Sequence, residues 1–113
     1  MRIDATFTYT ASVFVGLRKQ YSDKVKKPWM AMRICRRYCD KIGLGLTVTP
    51  TSYLYTNGYE PGVIVGLINY PRYPSEQATI RAHAMEIAKL LLYGMDQARV
   101  TVIAGNDTFM LSA

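Results

Sequence analysis

One acid and three tyrosines crowd the segment TSYLYTNGYEPG: Glu60 follows closely on Tyr53, Tyr55 and Tyr59. A carboxylate pairs with an ammonium, and an aromatic face attracts positive charge. Without a metal or a base beside them, these groups suit a small cation bearing a sulfonium or an amine better than a phosphate. The rest of the chain offers little rival chemistry. His83 is the single histidine, which excludes most Ser-His-Asp and Cys-His arrangements. Its neighbours Ala82, Ala84 and Met85 read as a packed helix. Cys35 and Cys39 lie four apart in a helical pattern, a poor zinc set and too short a loop for a useful disulfide. They read as reduced core thiols. Gly43-x-Gly45 lacks the third glycine and the strand-before-helix context of a dinucleotide site. No Walker A sequence, HExxH or paired-carboxylate cluster is present. Neither a metal nor a cofactor is expected.

Residues 6–17 (TFTYTASVFVGL) are β-branched and aromatic throughout and predict a long first strand. A basic loop over 18–27 leads to Pro28, which suits the first turn of a helix. Trp29, Met32, Cys35, Cys39 and Ile42 then recur at helical spacing, and Gly43 ends the helix. Residues 44–55 alternate in polarity and predict a strand, which Pro50 places at a sheet edge. Asn57-Gly58 signals a hairpin into a third strand over 59–69. Ser75 is the expected N-cap of a second helix, with Ile80, Ala84, Ile87, Ala88 and Leu91 as its apolar stripe and Gly94 as its end. Residues 99–104 (RVTVIA) form the next strand. Asn106-Asp107 turns the chain, and 109–111 can add a short last one. The order β-α-β-β-α-β predicts an α+β, ferredoxin-like two-layer sandwich with an antiparallel sheet, in a single domain over 1–113.

A two-residue turn at Asn57-Gly58 would pair Tyr55 with Glu60, Tyr53 with Gly62 and Thr51 with Ile64. Directly opposed residues share a face. One face then holds Leu46, Val48, Ser52 and Leu54 with Val63, Val65 and Leu67, for the helices to cover. The other holds Thr47, Thr49, Thr51, Tyr53, Tyr55, Glu60, Gly62, Ile64, Gly66 and Ile68. In a monomer that second face is open, and such faces serve as oligomer interfaces or ligand floors. Surface Tyr and Thr also favour strands regardless of function, so a plain open sheet is the rival reading.

At 113 residues the chain makes one domain, and 50% hydrophobic content is enough to fold it. No apolar run reaches the length of a membrane span, and the start of the chain has no signal-peptide pattern. The expectation is a cytoplasmic protein without membrane contact. The net charge of +6 is concentrated in 18–41, where Arg18, Lys19, Lys24, Lys26, Lys27, Arg33, Arg36, Arg37 and Lys41 lie. That stretch could attract nucleic acid or an anionic small molecule, but a solvated helix face is the commoner meaning of a charge run. Nucleic acid on the open sheet face is argued against by Glu60 and by the absence there of lysine and arginine.

The chain resembles the small phage-encoded S-adenosylmethionine (SAM) lyases, formerly called SAM hydrolases. The resemblance rests on Val13-Phe14-Val15 followed by the basic loop into Tyr21-Ser22-Asp23-Lys24-Val25. It continues in Ile42-Gly43-Leu44 running into Leu46-Thr47-Val48, and in Glu60-Pro61-Gly62-Val63-Ile64-Val65, and it covers roughly residues 10–105. A tyrosine on the second strand and a glutamate opening the third match the family's two key side chains in kind. The family's hairpin is longer, so its tyrosine and glutamate are further apart in sequence.

The resemblance implies a homotrimer of the PII type with sheets facing inward and sites between subunits. It implies cleavage of SAM to 5′-methylthioadenosine and L-homoserine lactone by attack of the substrate's own carboxylate; hydrolysis to homoserine is the older reading of the family. It places Glu60 and Tyr55 as catalytic residues, with Tyr53 competing for the tyrosine's place. Tyr53, Tyr59, Gly62 and Thr51 are placed as substrate-binding residues, although the expected register sends Tyr59 to the other face. The setting implied is the cytoplasm of an infected bacterial host, with an anti-restriction role. The alternative is a non-catalytic small-molecule-binding or interaction trimer of the same fold.

Overall fold

The side-chain period changes along the chain, and the elements change with it. The computed structural model describes all residues, 1–113. Strand β1 (Thr10–Gly16) is followed by α1 (Pro28–Ile42), β2 (Thr47–Tyr55), β3 (Gly58–Ile68), α2 (Gln77–Gly94), β4 (Arg99–Ala104) and β5 (Asp107–Ser112). The strands form one sheet in the order β2-β3-β1-β4-β5, with every neighbouring pair antiparallel. This is the ferredoxin-like α+β sandwich, extended by β5 beyond β4.

The core lies between one sheet face and the helices. Val13 and Val15 of β1, Val63, Val65 and Leu67 of β3, and Val100 and Val102 of β4 are buried there. They meet Ile80, Ala84, Ile87, Ala88 and Leu91, the expected stripe of α2, all buried. Each of the valines, leucines and isoleucines stabilises the fold by about 1.5–3 kcal/mol when it leaves water, and the alanines by less. Gly43 caps α1 in the left-handed region at φ 79°, as expected.

Several boundaries differ from expectation. The first strand starts at Thr10 rather than at residue 6, because its partner β3 ends at Ile68, opposite Thr10. The segment before it is held instead by Asn69, whose Nδ2 donates to Phe7 O at 2.9 Å. The N-cap of α2 is Glu76 rather than Ser75; the Ser75 N–H is taken by Asn69 Oδ1 at 2.8 Å. Helix α2 does end at Gly94, as expected, though without a left-handed turn; a Cβ there would sit 2.5 Å from Ile34 Cδ1, so Gly94 permits the close approach of α1 to α2. The last turn is Gly105-Asn106 rather than Asn106-Asp107: Gly105 takes φ 58° and Asp107 pairs with Ala104.

The α1 stripe is also rotated from the expected one. Ala31, Cys35 and Tyr38 are buried, whereas Trp29, Met32 and Ile42 remain exposed. Helix α1 leans on α2 and leaves the helix-facing side of edge strand β2 largely uncovered. Trp29, Met32, Cys39, Leu46 and Val48 therefore flank a groove. Leu54, expected under the helices, is 80% exposed, because the β2–β3 hairpin outruns both of them.

Pro50 does sit on an edge strand, and the ladder runs through it without a bulge, opposite Val63. The hairpin register is displaced by two residues from the expected one. Tyr55 pairs with Gly58, Tyr53 with Glu60 and Thr51 with Gly62. The loop is Thr56-Asn57, with Asn57 at φ 62°, a conformation asparagine tolerates. Because side chains alternate with period two, a shift of two keeps every residue on its expected face and changes only its partner.

Candidate active site

The sheet face away from the helices is bare. On it stand Thr51 and Tyr53 of β2, Glu60, Gly62 and Ile64 of β3, Phe14 and Gly16 of β1, Arg99 and Ile103 of β4 and Met110 of β5, with Ile68, Ile103 and Met110 exposed. The face therefore carries an arginine, contrary to expectation, because β4 adds its own alternate residues to those of the hairpin. Near one end of the sheet, Gly16 and Gly62 pair directly across β1 and β3. Two opposed glycines leave a patch of naked backbone, and two side chains use it. The Tyr53 ring lies over Gly62. The Glu60 carboxylate lies over Gly16, where a Cβ would stand 2.8 Å from Glu60 Cδ.

Tyr53 reaches across the ladder and donates its hydroxyl to Val63 O at 2.9 Å. Burial pushes its phenol up to about 12, a backbone hydrogen bond from Val15 works against the shift, and the nearby Glu60 charge adds to it. At neutral pH Tyr53 is therefore a fixed, uncharged hydroxyl and no base. A Cβ on Gly62 would lie 2.5 Å from Val15 O and 2.9 Å from Tyr53 Cδ2. The backbone oxygen cannot move aside, so Gly62→Ala is expected to cost about 1–3 kcal/mol of stability through overpacking. A lower urea midpoint at unchanged slope is the expected reading; an unchanged midpoint would refute this account of the floor.

Glu60 opens into a cavity of about 460 Å³ lined by Arg18, Lys19, Gln20, Tyr21, Gln97 and Arg99 among others. Here β1 ends, β3 begins and β4 begins. The loop after β1 folds over this end of the sheet: Arg18 bridges to Val25, and the Lys19 N–H donates to Lys24 O at 2.8 Å. The turn after α2 anchors that loop. Gln20 Nε2 donates to Asp96 Oδ1 at 2.8 Å, and Lys19 faces the same carboxylate at 3.7 Å. Arg18 Nη2 donates to Tyr59 O at 3.1 Å.

The expected site residues thus separate. Glu60, Tyr53, Gly62 and Thr51 come together. Tyr55 shares their face but does not oppose Glu60: it stands at the hairpin tip, 55% exposed, its ring across Gly58 and its hydroxyl 3.4 Å from Tyr59 O. Tyr53 occupies the place expected of Tyr55, because the turn forms one residue earlier and so displaces the pairing by two. The Tyr59 side chain points to the opposite face, as strand alternation requires. Gln97 and Gly16 belong to the site and carry no motif that announces them. His83 lies elsewhere, between the helices, its Nδ1 2.7 Å from the Tyr38 hydroxyl. Burial raises the Cys35 thiol to about 11, with Cys39 adding to the shift, so Cys35 is a poor nucleophile. No group of three or more His, Cys, Asp or Glu side chains is placed to hold a metal ion. No helix is long and apolar enough to cross a membrane. Arg36 and Arg37 lie exposed on α1.

A ferredoxin-like sandwich with a carboxylate and a neutral tyrosine on its bare sheet face is a fold and site suited to a small cationic ligand. No family model matches the sequence, and no curated protein is significantly similar to it. Two solved structures are similar in fold. A phage SAM lyase in complex with S-methyl-5′-thioadenosine aligns with a TM-score of 0.72 at 14% identity, over 100% of this chain and 95% of that one. A phage SAM lyase in the apo state aligns with a TM-score of 0.65 at 18% identity, over 93% and 89% of the two chains. The chain shares the fold of these phage SAM lyases, as the sequence resemblance implied.

Proposed function

We propose that the chain is a SAM lyase, cleaving SAM to 5′-methylthioadenosine and L-homoserine lactone. The observation that supports this best is the Glu60 carboxylate, set beside the Tyr53 ring on a bare, partly apolar sheet face. In the reaction, a carboxylate oxygen of the substrate attacks its own γ-carbon. The γ-carbon–sulfur bond breaks, and its electron pair stays on sulfur as a neutral thioether. No proton moves, so neither an acid nor a base is needed. Glu60 pairs with the α-ammonium and holds the methionine moiety curled, while the Tyr53 ring faces the sulfonium. Holding the two ends together supplies much of the acceleration. The reaction also annihilates a positive and a negative charge, which an environment screened from water favours.

The exposed Ile68, Ile103 and Met110 on the same face fit a homotrimer whose sheets face inward and whose sites lie between subunits. Light scattering is expected to give the trimer mass at micromolar concentration; a stable monomer would overturn both the trimer and the shared site. The proposed setting is the cytoplasm of an infected bacterium. The reaction class is tested by cleavage in ¹⁸O-water. Internal attack leaves the oxygen on the γ-carbon unlabelled, even after the lactone opens. Label at that position would mean hydrolysis and would refute the lyase reading.

A further inference from the structure

We propose that Gln97 is a substrate-recognition residue, its amide oxygen acting beside the Glu60 carboxylate as the second acceptor for a primary ammonium. The identity of the ligand rests on the SAM reading; the chemistry of the acceptor pair does not. Gln97 is 6% exposed, the one polar side chain among the buried residues. Burying an amide is costly unless its groups are bonded. Its Nε2 has two protons, and both are engaged, one by Arg18 O at 2.8 Å and one by Met95 O at 3.0 Å. Turning the amide over would set its oxygen against two carbonyl oxygens, so its orientation is determined. Oε1 must then face the floor of the site, where a Gly16 Cβ would stand 2.9 Å from it. That is the same bare glycine over which the Glu60 carboxylate lies.

No protein group donates to Gln97 Oε1, and it is not among the buried polar atoms sealed from solvent without a partner. Of the nearby cations, Arg18 is engaged on Tyr59 O and Lys19 on Asp96, and Arg99, which lines the same cavity, donates to neither acceptor. Two acceptors therefore flank one bare glycine with no donor between them. A phosphate or carboxylate seated there would meet only lone pairs. An ammonium, with three donors and a positive charge, satisfies both at once. The seat takes the primary ammonium of an amino-acid end and disfavours ligands from which that group has been removed.

The test uses S-adenosylhomocysteine, which has the same α-ammonium but a neutral thioether and so survives contact with an active enzyme. Its affinity is compared by calorimetry with that of its analogue lacking the amino group, in the parent and in Gln97→Met. The parent should prefer the amino compound by about a hundredfold, and Gln97→Met should reduce the preference to about tenfold, one charged hydrogen bond being lost. Affinity for the deaminated compound should stay constant. Equal weakening of both compounds would reveal a merely structural residue and overturn the proposal. So would an unchanged preference, or failure of S-adenosylhomocysteine to bind at millimolar concentration. If Gln97→Met does not fold, the parent alone decides: a preference for the amino compound near a hundredfold supports two acceptors, and one of about tenfold or less overturns the proposal. If the preference behaves as expected while SAM itself survives incubation, the lyase reading falls and the assignment of Gln97 stands.

Discussion

Glu60→Gln is expected to reduce SAM cleavage roughly a hundredfold or more, because removing one member of a desolvated charge pair typically costs 2–5 kcal/mol. The substitution keeps the side chain's shape and its place over Gly16, so the unfolding midpoint should hardly change. The charge is the point. Glutamine can still accept a hydrogen bond from the ammonium, but it cannot balance the positive charge when the site closes around it. The loss should appear mainly in kcat/KM. Tyr53→Phe should cost less, since it removes one hydroxyl bonded to Val63 O and leaves the ring on its glycine seat. Parental activity in Glu60→Gln would end the site assignment.

Gly16→Ala should have an effect of similar size by a different route. The new Cβ would fall where the Glu60 carboxylate now lies. Gly16 is not among the residues with positive φ, so alanine brings no backbone strain. What it meets is the far end of the flexible Glu60 side chain, which can swing away, and, at 2.9 Å, the Gln97 Oε1, whose amide two hydrogen bonds hold in place. Stability should therefore fall by about 1 kcal/mol, the low end of an overpacking cost. Activity should fall toward the Glu60→Gln level, because the carboxylate no longer stands beside Gln97. Gly62→Ala makes the contrast, since there the obstacle is the Val15 carbonyl and stability suffers directly. A Gly16→Ala variant that is folded and fully active would show that the position of Glu60 over this glycine does not matter.

The sheet faces were legible in the sequence, since alternation alone assigns them and a slip of two residues leaves them intact. The partners across the hairpin were not. Asn57-Gly58 reads as the loop itself, but Asn57 supplies the positive φ from the second loop position, and Gly58 instead pairs with Tyr55 and makes room for its ring. That displacement exchanges Tyr53 for Tyr55 opposite Glu60. The stripe of α2 was legible because α2 packs squarely on the sheet. That of α1 was misjudged because α1 leans on α2, and Trp29 and Met32 stay in water. Gln97 was not legible at all. Its part in the site arises from three chain segments meeting, with Arg18 and Gly16 some eighty residues away in sequence, and no local pattern records such a meeting. Gly94 reads as a helix end in any sequence, and only the nearness of Ile34 reveals its packing role.

Whether the protein cleaves SAM is decided by incubating it with SAM and following 5′-methylthioadenosine by chromatography. Methylthioadenosine should accumulate in step with SAM loss, far faster than in buffer alone and over many turnovers per chain. SAM that remains as stable with micromolar protein as without it would rule out the lyase.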